Sequence, residues 1–338
     1  MPWLLYGANG YTGELIAREA VRRGVYPILA GRSAEKIEPL ARELGCEFRV
    51  FDLDKPDLSG VSLVLHCAGP FIQTSKAMVQ ACLAAGVHYL DITGEIAVFE
   101  GVLRRDADAQ QRGVVLLPGV GFDVVPTDCL AAMLHEQLPD ANELWLAFYS
   151  RAGVSRGTLK TMIEGAGYGG AIRKDGKIVR VPQLYDVQTI PFASGPKLAM
   201  TIPWGDVSTA FHTTGIPNIR VFSAQAPRAI KRMRWMKYLL PLLRVRAIRN
   251  IALKRAEKTS GPSAEQRAKS RVEVWGRVRN ARGDERTMTM TVAEGYNFTV
   301  LSALEAVDAV LATPRRGAFT PARLLGKDFV KRIPGTEL

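Results

Sequence analysis

The chain has 338 residues, 47% of them hydrophobic, and a formal net charge of +12 with four cysteines and four histidines. This length exceeds one ordinary domain and the apolar content supports a real core, which excludes a low-complexity or disordered chain. No C-x-x-C or H-x-x-x-H spacing occurs and no apolar run reaches about 18 residues, which speaks against a metal centre, a disulfide framework and a membrane span. Buried thiols at Cys46, Cys67, Cys82 and Cys129 suit a reducing compartment. The first strand starts almost at Met1, so no signal peptide is expected and the location expected is cytoplasmic.

In chain order, residues 3–6 read as an apolar strand, Gly7-Ala8-Asn9-Gly10-Tyr11-Thr12-Gly13 as a glycine turn, 14–23 as a helix, and 27–32 as a second strand. Each glycine has a separate expected task. Gly7 turns the chain off the strand, Gly10 lets backbone approach a pyrophosphate, and Gly13 lets the helix pack close to the sheet. The helix N-terminus then offers free N–H groups to phosphates. The second strand ends in Gly31-Arg32-Ser33, where NAD-binding chains usually carry Asp or Glu for the ribose 2′-hydroxyl. A guanidinium there pairs with a 2′-phosphate instead, so NADP is the expected cofactor.

The alternation continues with strands at 46–51 (ending at Asp52), 63–67, 88–92 and 114–117 and helices at 76–85 and 98–112. Such a rhythm makes a doubly wound parallel sheet of Rossmann type. The third strand is followed by Asp52, the fourth by Ala68-Gly69-Pro70-Phe71, the fifth by Thr93-Gly94-Glu95, and the sixth by Pro118-Gly119-Val120-Gly121-Phe122-Asp123. After Pro126 the rhythm changes. A helix at 127–138 precedes strands at 143–149, 187–192, 198–204, 219–223, 271–279 and 287–292, with a hairpin turn at Asp175-Gly176 and a linker at 258–265. This predicts an inserted α+β domain on a mainly antiparallel sheet. A helix at 298–311 and a tail return to the first domain. The expected division is 1–130, 131–295 and 296–338.

Ligands of such sheets bind outside the carboxyl ends of the strands. There Gly69, Pro70 and Phe71 follow the fourth strand, and Phe71 faces a ligand or is plain core. Asp91 and Glu95 form a carboxylate pair for acid/base work, or Glu95 sits in the first turn of the next helix. Gly94 ends the fifth strand on the same edge, the turn with Gly119, Gly121 and Phe122 suits close approach to the nicotinamide, and Asp123 is a proton donor or a helix cap. Tyr168, in the glycine-rich 165–170 stretch, and His212, in a helical stretch, are the other candidate proton donors.

Taken together, Gly7 to Gly13, Ala30-Gly31-Arg32, Gly69-Pro70-Phe71, His88 to Glu95 and Gly121 to Asp128 resemble the saccharopine dehydrogenase-like oxidoreductases. The similarity is greatest to the branch holding the trans-acting enoyl reductases and the lipid-droplet-associated saccharopine dehydrogenase-like protein. The resemblance implies NADP-dependent hydride transfer, with Gly7, Asn9, Gly10, Tyr11, Thr12, Gly13, Arg32, Ser33, Asp52, Ala68, Gly69, Pro70, Phe71, Gly94, Gly121 and Phe122 about the cofactor. It does not fix the substrate; the expectation is a C=C or C=O acceptor in an apolar, lipid- or carrier-linked substrate. C=N reduction of an amino-acid conjugate and a non-catalytic NADP-binding role at lipid surfaces are the alternatives. A homodimer through the second domain is also implied.

Segment 226–258 carries eleven Lys or Arg against the single acid Glu257, interleaved with Trp235, Met236, Tyr238, Leu239, Leu240, Leu242 and Leu243. Pro241 divides it. The pattern suits an interfacial helix pair attracted to anionic lipid, at the inner face of a membrane, or else a dimer-packing helix or active-site cover. Nucleic acid is not expected, because no nucleic-acid-binding fold accompanies the charge.

Overall fold

The computed structural model describes residues 2–338, which divide into two compact units, 2–125 with 296–326 and 126–295 with 327–338. The first unit begins with β1 (Trp3–Tyr6), α1 (Tyr11–Arg22), β2 (Ile28–Gly31), α2 (Ala34–Leu44), β3 (Phe48–Val50) and β4 (Leu63–His66). It continues through α3 (Phe71–Ala85), β5 (His88–Asp91), α4 (Ile96–Leu103), α5 (Asp106–Gln111) and β6 (Val115–Leu117). The second unit holds α6 (Val125–Gln137), β7 (Ala141–Ser150), α7 (Arg156–Ala166), β8 (Gly170–Lys174), β9 (Lys177–Val181), β10 (Val187–Phe192), β11 (Gly195–Thr201), α8 (Asp206–Thr214) and β12 (Asn218–Ala224). It goes on through α9 (Pro227–Met236), a 3-10 turn (Leu240–Arg244), α10 (Arg246–Ala256), α11 (Ala264–Lys269), β13 (Arg271–Asn280) and β14 (Glu285–Ala293). The chain then adds α12 (Gly295–Ala312), β15 (Gly317–Ala318) and α13 (Pro321–Leu325) to the first unit.

The first sheet runs β15-β6-β5-β4-β1-β2-β3, parallel at every pairing. All residues of β1, β2 and β4 are buried, which requires cover on both faces and explains their continuous apolar runs. Leu4, Tyr6, Val64 and Tyr89 meet Met78, Val79 and Cys82 of α3 and Val98, Phe99 and Val102 of α4 in one core. Strand order reverses between β1 and β4. That is the switch point where a crevice opens at the carboxyl edge.

The second sheet runs β10-β11-β12-β7-β13-β14, with β8 and β9 attached at β12. Only β12 against β7 is parallel, so the mainly antiparallel expectation holds. Gly276 of β13 lets Leu130 and Leu134 of α6 lie on the sheet: a Cβ there would come within 2.7 Å of Leu134 Cδ1.

Several boundaries differ from those read in the sequence. The third helix starts at Phe71 rather than 76. The 98–112 stretch is two helices, and Asp106 at the start of the second accepts the Ala318 N–H on Oδ1 at 2.7 Å. Helix α7 was not read in the sequence; Ser155 caps it by accepting from Thr158 N, a Ser-x-x-Thr signal overlooked beside the glycines. The 258–265 linker ends in a capping box in which Ser263 and Gln266 start α11. The tail 327–338 lies with the second unit rather than the first. It is tied there by Thr291 and Glu337, which exchange backbone bonds of 2.8 Å, and by Arg271 Nη1 donating to Gly335 O at 2.7 Å.

Candidate functional site at the carboxyl edge of the parallel sheet

The glycine turn is held by its own packing. Gly7 has φ +83°, its N–H donates to Ala30 O at 2.8 Å, and a Cβ on it would fall 2.8 Å from Ala68 N. The β1 and β4 turns therefore touch at the switch point. A Cβ on Gly13 would fall 2.3 Å from Gly7 O, so only glycine lets α1 come this close. Gly10 caps α1 with no side-chain bond, which leaves the helix N-terminus open to an anion. Tyr11 and Thr12 follow as its first residues, and the Tyr11 ring meets Tyr296 edge-on at 4.9 Å.

A second helix N-terminus at the same edge is already taken. Phe71 N and Ile72 N of α3 donate to Glu95 Oε1 and Oε2 at 2.8 and 2.9 Å. Glu95 thus sits at the start of α4 in sequence while its carboxylate caps α3, which a helix dipole favours. The N-terminus of α3 is thus occupied by a carboxylate, while α1 has no side-chain cap.

Arg32 is exposed at the end of β2, and Ser33 starts α2 without spending its hydroxyl on the cap. Asn9 lies beside them: a Cβ on Gly31 would be 3.0 Å from its Oδ1. Asp52 Oδ1 accepts from Leu53 N at 2.6 Å, and Tyr6 donates to Phe51 O at 3.3 Å. Burial, with the nearby Asp52 charge, pushes the Tyr6 phenol up to about 12.

The turn after β4 is braced by residues that the sequence reading missed. His66 Nε2 lies 2.9 Å from Thr74 Oγ1, whose hydroxyl donates to Ala68 O at 2.7 Å. His66 is therefore the donor of that pair. It is fully buried among the Tyr6, Phe71 and Tyr89 rings, and burial pushes it down to about 3. A histidine closing an otherwise apolar strand was the available signal. Gly69 and Pro70 stand at this turn joined by a cis peptide, and Phe71 packs into the core beneath them.

Asp91 is buried and fully engaged. Tyr89 donates to its Oδ2 at 2.7 Å, while Thr93 N and Gly119 N donate to Oδ1 at 3.0 and 2.9 Å. Burial lifts it to about 6 despite these bonds. With Glu95 capping α3, the two carboxylates do not make the acid/base pair entertained from the sequence; each is spent on backbone N–H groups.

Asp123 is different. Its carboxyl fills the space left by the missing side chain of Gly94, where a Cβ would come within 2.6 Å of Oδ2. Burial and the Glu95 charge push it up to about 7. Gly121 makes room for Thr299 of α12, whose Oγ1 accepts from Phe122 N at 3.0 Å, and the Phe122 ring meets Phe298 edge-on. Tyr168 and His212 belong to the second unit. Tyr168 has the Arg180 and Arg244 guanidinium groups over its ring at 5.7 and 5.6 Å, and His212 rests against Phe211 in the last turn of α8.

An open helix N-terminus after a glycine turn, at the switch point of a parallel sheet, defines a dinucleotide-binding protein of Rossmann type. Residues 3–117 match the family model described as saccharopine dehydrogenase NADP binding domain. The cofactor that goes with this domain is NADP. The residues fit it: Gly10 offers no capping side chain, and β2 ends in the exposed Arg32.

The human saccharopine dehydrogenase-like oxidoreductase is 25% identical over 236 residues, covering 59% of this chain and 52% of that protein. A trans-acting enoyl reductase of Mycobacterium bovis is 28% identical over 181 residues, covering 48% and 43%. The chain thus spans about half the length of the curated relatives it matches. Saccharopine dehydrogenase (L-Glu forming) from Saccharomyces cerevisiae superposes with a TM-score of 0.64 at 12% identity, covering 97% of this chain and 96% of that one, which shows the shared fold. Among the described residues no helix is long and apolar enough to cross a membrane.

Proposed function

We propose that this chain is an NADPH-dependent reductase acting on a C=C or C=O bond of an apolar substrate, with Asp123 as proton donor. The observation that carries the reading is the carboxyl edge of the first sheet. The open N-terminus of α1, Arg32 and a carboxyl held to a raised pKa all lie along that edge, while Asp91 and Glu95 are tied up. The relatives named as enoyl reductases support a conjugated C=C as acceptor.

NADPH, when bound, supplies the hydride and leaves as NADP. The backbone N–H groups at the start of α1 hold the pyrophosphate, and Arg32 with Ser33 favours the 2′-phosphate over a bare 2′-hydroxyl. The turn braced by His66 and Thr74 shapes the wall beside the nicotinamide ribose. Hydride addition to one end of the double bond leaves an electron pair at the other. Protonated Asp123 donates there, balancing the reduction. A carboxylic acid with pKa near the working pH is suited to that transfer.

Calorimetric titration with NADPH and NADH in parallel, followed by NADPH oxidation with enoyl and keto thioesters, tests the reading. Tight NADPH and weak NADH binding, with turnover of one of these acceptors, is expected. Failure of NADPH to bind overturns it.

A further inference from the structure

We propose that the α9–α10 region is a docking surface for an anionic bilayer, a role separate from the chemistry at the first sheet. Residues 226–256 contain ten Lys or Arg and no acid. The structure shows where the charges and the apolar groups go. On α9, Arg228, Lys231, Arg232 and Trp235 fall at i, i+3, i+4 and i+7, so they share one face, and all four are exposed. Ile230, the one buried residue of α9, points the other way and anchors the helix. On α10, Arg249, Ala252, Leu253 and Ala256 form the inward stripe, and Ile248, Ile251 and Arg255 face out.

The apolar groups left in water are large. Trp235 is 76% exposed, Tyr238 73%, Leu239 63% and Ile251 55%, and Leu242 and Val245 are exposed with them. Soluble surfaces rarely gather so many, and a cluster set among cations marks an interaction site. The segment is nonetheless an ordered part of its unit. Pro241 divides it into two helices as the sequence implied, Arg244 Nε donates to Gly167 O at 2.8 Å, and Lys160 pairs with Glu257 at 3.1 Å.

A recess of about 360 Å³ opens beside this face, lined by Tyr168, Pro182, Lys237, Tyr238, Pro241 and Arg244 among others, with no carboxylate in its lining. Aromatic and aliphatic groups for the acyl boundary, cations for the phosphate layer and a basic recess of headgroup size match one occupant, a membrane surface rich in acidic phospholipid.

The test is co-sedimentation of the full chain with vesicles of phosphatidylcholine alone and of phosphatidylcholine with phosphatidylglycerol in equal parts. Two variants are compared, R228Q/K231Q/R232Q and W235S/L239S. All five positions are exposed, and thermal unfolding checks that the fold is kept. The expected result is partition onto the anionic vesicles only, weakened by salt, falling about fivefold for each charge removed and falling also for W235S/L239S. Absence of partition, equal partition onto both vesicle types, or variants that bind as the parent does would overturn the proposal. So would self-association that W235S/L239S abolishes without any vesicle binding, which would give this face to a second copy of the chain.

Discussion

Asp123 occupies the place that a side chain at residue 94 would need, with its Oδ2 2.6 Å from where a Gly94 Cβ would lie. The glycine after β5 therefore serves an acid that follows β6, and the two turns form one wall. If Asp123 donates the proton, Asp123→Asn lowers kcat by about 10²–10⁴-fold while NADPH affinity is kept. In the parent, reductase activity falls as pH rises through about 7, because the acid form is lost there. A pH–rate profile of both proteins checks this.

The same raised pKa makes a stability prediction. An ordinary aspartate releases its proton near 3.8 and Asp123 near 7. Between those values the folded state holds a proton that the unfolded state has lost, so stability declines as pH rises through that window. Above pH 7 the penalty is complete. Asp123→Asn removes it, and its melting temperature at pH 8 should exceed the parent's, by about 1–3 kcal/mol in unfolding free energy once partial solvent access is discounted. Near pH 3.5 the two proteins should melt alike.

Glu95 links the α3 N-terminus to Asp123. Glu95→Gln keeps a hydrogen-bond acceptor for Phe71 N but removes the charge, costing about 0.5–1 kcal/mol of stability. It also removes the repulsion that helps to raise Asp123, so the falling limb of the pH–rate profile moves to lower pH. A limb that stays in place would show that Asp123 does not set it.

Arg32→Asp should weaken NADPH binding about a hundredfold, through the lost charge-assisted bonds and the repulsion that replaces them, and should leave NADH binding little changed. Parallel calorimetric titrations decide the matter. Equal loss of both cofactors would remove the 2′-phosphate role.

Gly13→Ala forces a methyl group against Gly7 O. It should cost ~2–3 kcal/mol and weaken either dinucleotide, since α1 must lift from the turn that it helps to shape. Denaturant unfolding and titration read the two effects separately. Gly101→Ala, inside α4 with nothing within 4 Å of a Cβ, is the control for a methyl group that meets no neighbour.

Much of this protein was legible along the chain. The period of the strands, the glycine turn, Arg32 after β2 and the change of rhythm after Pro126 are local signals, carried by neighbours within a few residues. They were sufficient for the parallel sheet, the mainly antiparallel second sheet, the NADP-type edge and the division of the basic segment at Pro241. Helix α7 was overlooked because its one cap signal lay beside a glycine run read as loop.

The identity of the acid at the site was not local. Asp91, Glu95 and Asp123 all stand after strands and look alike in sequence. Tyr89 and Thr93 are local partners of Asp91, but only folding adds Gly119 N to them, lays Glu95 across the start of α3, and leaves Asp123 packed against Gly94. By itself the sequence determined which elements form and which cofactor they suit, since backbone preference and side-chain period act over short spans. Which carboxyl keeps its proton was decided by the tertiary structure, because the burial of Asp123 and the like charge of Glu95 beside it come from residues tens of positions away.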